Sequence, residues 1–131
     1  MFVDASALVA ILLGEADAPE LALAIRRSRN PMTSAIAVFE VSAALARLNG
    51  GNVVAARREV EAFLNLAGVS LMPIGDRELE RALDAFDRFG KGRHPARLNM
   101  GDCFAYACAR TQGLPLLFKG DDFSQTDIAF P

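Results

Sequence analysis

The chain has no tryptophan, one tyrosine, one histidine and two cysteines among its 131 residues. Each scarcity removes a class of function. Cys103 and Cys108 are too far apart for a CxxC metal pair and fall on different faces of one helical pattern, so neither a metal knuckle nor a disulfide is expected. Both read as small buried apolar residues. With a single histidine and no paired cysteines, the usual ligands of zinc are missing. No apolar run reaches the ~20 residues that span a bilayer, because Glu15 and Asp17 stop the opening one. That run, residues 5–14, follows the acidic Asp4 rather than a basic segment, so it does not read as a secretory signal. A cytoplasmic protein with no membrane role is expected. There is also no GxxxxGK[ST] phosphate-binding loop and no GxSxG nucleophile elbow.

What remains is a chain with 52% hydrophobic residues and a mean hydropathy of +0.22. Its length and composition suit one well-filled domain over residues 1–131. The net charge of −2 argues against a general nucleic-acid coat. Its distribution says more than its sum. Arg88, Lys91, Arg93 and Arg97 form a dense basic group, with His94 among them, mostly in a loop over residues 90–99. That loop is either a solvated surface or a hold on a phosphate backbone beside an acidic site. His94 could serve as a base, although a lone histidine in a basic loop is more often a surface contact.

Helical and strand patterns alternate along the chain. Phe2-Val3 predicts a very short strand, with Asp4 at its end and a buried helix over residues 5–13. A helix over 18–29 stops at Asn30-Pro31, and Met32-Thr33 makes a second strand. Ser34 is a good N-cap for an apolar helix over 35–48, which stops at Gly50-Gly51. The next helix, 53–66, has Val53, Val60, Phe63, Leu64 and Ala67 on its apolar side. A third strand follows over 69–74. Asp76 caps a helix to about Phe89, with Leu79, Leu83 and Phe86 as its buried stripe. Residues 102–111 form a helix closed by Gly113, residues 114–118 a fourth strand, and 127–130 a short last one. Strands separated by helices predict an α/β fold: a three-layer α/β/α sandwich around a short, mainly parallel sheet of four to five strands. Ligands of such sheets gather at the carboxyl ends of the strands. Asp4 ends strand one and Asp121-Asp122 follow strand four, so the topology brings them to one edge.

Taken singly, each acid has an ordinary explanation. Asp4 and Asp102 can cap helices, which is worth about 1 kcal/mol each. Glu40 is different, because residues 35–45 carry no other charge. Ile36, Phe39 and Ala43 flank it at helical spacing and predict burial, where an unpartnered carboxylate would be neutralised. It needs a cation or a donor. Asp121 and Asp122 are adjacent like charges that repel unless they face apart or share a cation. Together, Asp4, Glu40, Asp102 and one carboxylate of the 121–122 pair are expected to form one acidic pocket for a hard divalent ion, Mg²⁺ or Mn²⁺. Such a pocket suits metal-assisted phosphodiester hydrolysis. The competing reading is an interaction module in which the acids are caps and the apolar helices form an interface.

Three stretches also carry a resemblance. Met1-Phe2-Val3-Asp4-Ala5-Ser6-Ala7-Leu8-Val9-Ala10 resembles the opening of PIN-domain proteins of the VapC toxin type. Gly90-Lys91-Gly92-Arg93-His94-Pro95 followed by Leu98-Asn99-Met100-Gly101-Asp102-Cys103-Phe104-Ala105-Tyr106-Ala107 is similar to a longer stretch of the same toxins. Leu116-Leu117-Phe118-Lys119-Gly120-Asp121-Asp122-Phe123 resembles their closing acidic motif. The likeness is collinear and covers nearly the whole chain. It implies a homodimeric, Mg²⁺- or Mn²⁺-dependent endoribonuclease, the toxin of a type II toxin–antitoxin system, held inactive by a VapB-type antitoxin. It also implies roles for particular residues. Asp4 and Asp102 become the principal metal ligands and Glu40 the third acid, directly or through water. Ser6 supports Asp4. The fourth acid is Asp122, beside Phe123, with Asp121 a candidate. Arg93, Arg97 or Lys119 would steady the RNA backbone, with tRNA or rRNA as the kind of substrate. Ala5 stands where many members have Thr, a position that is not a ligand. A catalytically silent PIN-like scaffold for RNA or protein is the alternative within this fold. The helices between Ala18 and Leu66 carry more apolar surface than one small sheet face needs, and part of it is expected to form the dimer interface and an antitoxin groove.

Overall fold

The structure is a computed structural model and describes residues 1–130. Its elements follow the alternation of the sequence: β1 (Phe2–Val3), α1 (Ala5–Leu12), α2 (Ala18–Arg27), β2 (Met32–Ser34), α3 (Ala35–Leu48), α4 (Val53–Ala67), β3 (Ser70–Met72), α5 (Asp76–Phe89), α6 (Met100–Gln112) and β4 (Leu116–Leu117). The four strands form one sheet in the order β3-β2-β1-β4, and every pairing is parallel.

Alternation along β1 and β4 sorts the core into two halves. Phe2 and Leu116, paired in register, face the layer built by α5 and α6 and pack with Met72, Ala85 and Tyr106. Val3 and Leu117, the next pair, face the layer of α1–α4 and pack with Leu8, Ile25, Val41 and Val60. Successive side chains of a strand point to opposite faces, so a two-residue strand serves both layers. Strands this short make few ladder bonds, and the sheet is held chiefly by the helices buried against it. Each fully buried Leu, Val or Phe contributes roughly 1.5–3 kcal/mol.

Helix ends are set by local chemistry. The Ser34 hydroxyl accepts from the Ala37 N–H at 3.2 Å, and Asn52 Oδ1 accepts from the Ala55 N–H at 3.0 Å. α6 ends at Gly113, whose φ of 63° is the left-handed conformation in which glycine avoids a Cβ clash. Among the described residues no helix is long and apolar enough to cross a membrane.

Several expected boundaries and faces need correction. β3 and β4 are shorter than the apolar runs that contain them, because only their central residues find a pairing partner. Residues 127–130 make no strand, although the Ala129 carbonyl accepts from the Leu116 N–H at 3.0 Å. α2 ends at Arg27. Val53 of α4 is exposed, and Ala56 joins Val60 and Leu64 on the buried side. The N-cap of α5 is Gly75 rather than Asp76, because the Glu78 carboxylate reaches back to the Gly75 N–H at 2.9 Å. The largest difference is the face of α5. Leu79, Leu83 and Phe86 are exposed, while Ala82, Ala85 and Phe89 are buried. The small alanines let α5 lie close on α6, where Ala105 and Ala109 are also buried, and the bulky residues are turned to the seam between the helices and to solvent.

Candidate metal centre

Asp4 begins where β1 ends. Its backbone is extended and its carboxylate caps α1. Both the N–H and the hydroxyl of Ser6 donate to Oδ2 of Asp4, at 2.9 and 2.6 Å, which leaves Oδ1 for another partner. The Ser6 hydroxyl in turn accepts from the Lys119 N–H at 3.0 Å, tying the loop after β4 to the start of α1. Asp4 is only 4% exposed. Burial raises its pKa, the Ser6 bonds oppose the rise, and the charge of Asp122 adds to it.

Asp102 lies in the first turn of α6. Its Oδ2 accepts from the Asn99 N–H at 2.8 Å while Asn99 Oδ1 accepts from the Asp102 N–H at 3.0 Å, a reciprocal capping box. The helix therefore starts earlier than expected, at Met100. Burial pushes Asp102 up to about 6, Asn99 works against it, and Asp4 and Asp122 reinforce it.

Glu40 projects from α3 and is half-buried. Its burial does not come from Phe39, which is 73% exposed. It comes from α6, where the Glu40 carboxylate lies so close to the Gly101 Cα that a Cβ there would overlap it. Burial, then the charges of Asp4 and Asp102, raise the Glu40 pKa to about 7. Among the described residues none of Asp4, Glu40, Asp102 and Asp122 takes part in an ion pair.

Asp121 and Asp122 are both exposed in the loop after β4. The charge of Asp122 acts on Asp4 and Asp102, while Asp121 figures in neither. The structure thus brings Asp4, Glu40, Asp102 and Asp122 to the carboxyl edge of the sheet, each within reach of its neighbours' fields. Among the described residues, no three such side chains already close on one point as a finished ligand set. The donor chemistry nevertheless fits a hard cation: all-oxygen ligands, like charges gathered in a partly buried place, and raised pKa values that a bound ion would lower.

The cations have divided roles. Lys119 is engaged by Glu15, and by Asp17 at 3.0 Å, so it ties the α1–α2 turn to the end of β4 instead of standing free for a phosphate. Arg93 bonds Asp87 at 2.8 Å and lies over the Phe86 ring. Arg97 is exposed with a φ of 54°, a costly conformation for a residue with a side chain. Lys91, Arg93, His94 and Arg97 line one open surface hollow of about 450 Å³. His94 is structural: its Nδ1 accepts from the Ala96 N–H at 3.1 Å and its ring meets Phe89 edge-on. Cys103 and Cys108 are free and buried, as expected. Sequence reasoning missed Asn99 and Gly101. The Asn-x-x-Asp spacing was an available signal for the first, and nothing local signals the second.

A short parallel sheet between two helical layers, with acids gathered at its carboxyl edge, defines a PIN domain, and the PIN-domain profile matches residues 1–129. The chain is 40% identical over 132 residues to Ribonuclease VapC30 of Mycobacterium tuberculosis, covering 98% of this chain and 96% of that protein. It is 41% identical over 139 residues to a VapC ribonuclease of Rhizobium meliloti, covering 97% and 98%. The crystal structure of Mycobacterium tuberculosis VapC20, a Sarcin-Ricin loop cleaving toxin, matches with a TM-score of 0.76 over 98% of this chain and 95% of that one. At 22% identity that match speaks for the fold alone. The chain belongs to the VapC ribonucleases of the PIN-domain family.

Proposed function

We propose that this protein is the toxin of a type II toxin–antitoxin pair, a single-domain cytoplasmic endoribonuclease that works with Mg²⁺, for which Mn²⁺ can substitute. The observation that carries the reading is the gathering of Asp4, Glu40, Asp102 and Asp122 at one sheet edge, where none of them has an ion-pair partner among the described residues. Asp4, Asp102 and Asp122 would hold the ion, with Glu40 binding directly or through water and Asp121 held in reserve as the fourth acid. A divalent cation there supplies acidification of water and neutralisation of charge on the phosphate. The chain's own groups do the positioning. Ser6 fixes one oxygen of Asp4, and Asn99 fixes one oxygen of Asp102. Arg93 and Arg97 border the hollow beside α6, where an RNA backbone would lie. Lys119 is better placed to hold the α1–α2 turn. A homodimer, a VapB-type antitoxin and a tRNA or rRNA substrate complete the proposal, in line with the family.

Incubation of the purified protein with RNA should give cleavage in Mg²⁺ and none in EDTA, with 5′-phosphate and 3′-hydroxyl ends. RNA left intact in Mg²⁺ would favour the silent scaffold, and cleavage that survives EDTA would remove the metal from the reading.

The raised carboxyl pKa values have a consequence for stability. Glu40 shifts from 4.5 to about 7 and Asp102 from 3.8 to about 6. Between the lower and upper values the folded protein binds more protons than the unfolded chain, so stability falls as pH rises through that window. The favourable contribution is complete below pH about 4 and gone above about 7. Mg²⁺ relieves the repulsion that remains, so it should raise the melting temperature more at pH 8 than at pH 5. Thermal melts with Mg²⁺ or EDTA at both pH values check this, and equal shifts at the two would count against the pocket.

A further inference from the structure

Residues 118–130 contain neither helix nor strand, yet they are firmly held. Phe123, next to Asp122, is 1% exposed and its ring lies 4.9 Å from that of Phe118. The Ser124 hydroxyl donates to the Asp121 carbonyl at 2.6 Å, and the Thr126 hydroxyl to the Phe123 carbonyl at 2.8 Å. The strongest tie is at Asp127. The Tyr106 hydroxyl donates to Asp127 Oδ1 at 2.6 Å, Arg88 donates to Oδ2 at 3.0 Å, and Arg110 stands at 3.7 Å.

The placement of this tie matters. Tyr106 lies one turn after Asp102 on α6, and Asp127 lies one short loop after Asp122. The Tyr106–Asp127 bond therefore joins the helix that carries one acid to the loop that carries another. The other ties of the segment act within it, as the Ser124 and Thr126 bonds do, or bind it to the core or to α1, as Phe123 and the Lys119 N–H do; the Tyr106–Asp127 bond ties it to α6 itself. A charge-assisted bond at 2.6 Å is of the strong kind. The neighbouring groups support that charge state. The Tyr106 hydrogen bond, followed by Arg88, holds the Asp127 carboxyl below its ordinary range.

We propose that Tyr106 and Asp127 are positioning residues for the metal centre, holding the Asp122 loop in register with Asp102 and so setting the affinity for the cation. This rests on the metal-binding reading above. The ordinary alternative is a clamp that serves global stability only.

A double-mutant cycle separates the two, with Mn²⁺ affinity measured by calorimetry on the full chain and apo melting temperatures recorded in parallel. Tyr106→Phe keeps the ring against Phe89 and removes only the hydroxyl. It should weaken Mn²⁺ binding about tenfold, the low end for loss of an outer-shell partner. Asp127→Asn should weaken it in the same direction. In an Asp122→Asn background neither substitution should weaken binding further. Additive losses, or lower melting temperatures with unchanged affinity, would overturn the inference, as would full affinity in Asp122→Asn. Asp4→Asn is the control for the underlying reading. If it binds Mn²⁺ like the parent, the metal centre itself is wrong. If it loses Mn²⁺ while Tyr106→Phe retains it, only the positioning role fails.

Discussion

Asp4→Asn and Asp102→Asn should each lower RNA cleavage at least about a hundred-fold, the scale of losing one group that stabilises charge in a transition state. Their melting temperatures should hardly fall. Asparagine keeps an amide oxygen that can still accept from both Ser6 donors at position 4, or from the Asn99 N–H at position 102. The helix caps therefore survive. What disappears is a negative charge that burial and its neighbours already disfavour. In EDTA at pH 8 each variant should be as stable as the parent or more so. Single-turnover cleavage and thermal melts decide the matter together. Cleavage within tenfold of the parent in both variants would remove these residues from the chemistry, and a collapse in melting temperature would mark them as structural.

Gly101→Ala should be nearly as damaging by a different route. Within a helix, alanine is ordinarily better than glycine by roughly 0.5–1 kcal/mol. Gly101 lies in the first turn of α6 and is buried there, with no unusual backbone angle to explain the glycine. The reason is space, since the added methyl would occupy the place of the Glu40 carboxylate. Glu40 must then swing away or α3 and α6 must separate. Cleavage should drop by one to two orders of magnitude, about the loss that follows a 1 Å misplacement of a catalytic group. Placing the same change in a Glu40→Ala background is the diagnostic step. There the methyl meets no carboxylate, so Gly101→Ala should cost no further activity and should recover its helical advantage in the melt. An equally harmful effect in both backgrounds would show that the methyl disturbs something other than Glu40.

The parts of the molecule that could be read from sequence are those governed by local chemistry. α3 begins and ends where expected, at Ala35 and Leu48, because Ser34 offers a cap and an uninterrupted apolar run follows. The strand-end rule placed Asp4 and the 121–122 pair at one edge across more than a hundred positions. It worked because every strand pairing is parallel. What stayed hidden depended on choices between elements. The Leu79, Leu83 and Phe86 stripe of α5 has ideal helical spacing, but the alanine face allows the closer approach to α6. Asp121 and Asp122 are adjacent, so no periodicity separates them. The difference lies in the path of the loop, along which the charge of Asp122, and not that of Asp121, acts on Asp4 and Asp102. The Tyr106–Asp127 bond was invisible for a simpler reason: it crosses 21 positions between a helix and an irregular segment.

The pairing of β1 with β4 also bears on how the protein is made. Phe2 meets Leu116 and Val3 meets Leu117, so the middle of the sheet cannot close until residue 117 has left the ribosome. Contacts between such distant segments form late, after loop closure has been overcome. Asp4 emerges first and waits for Asp102 and then Asp122. A nascent chain that has not yet reached residue 122 lacks the full set of proposed metal-binding acids and should not cleave RNA.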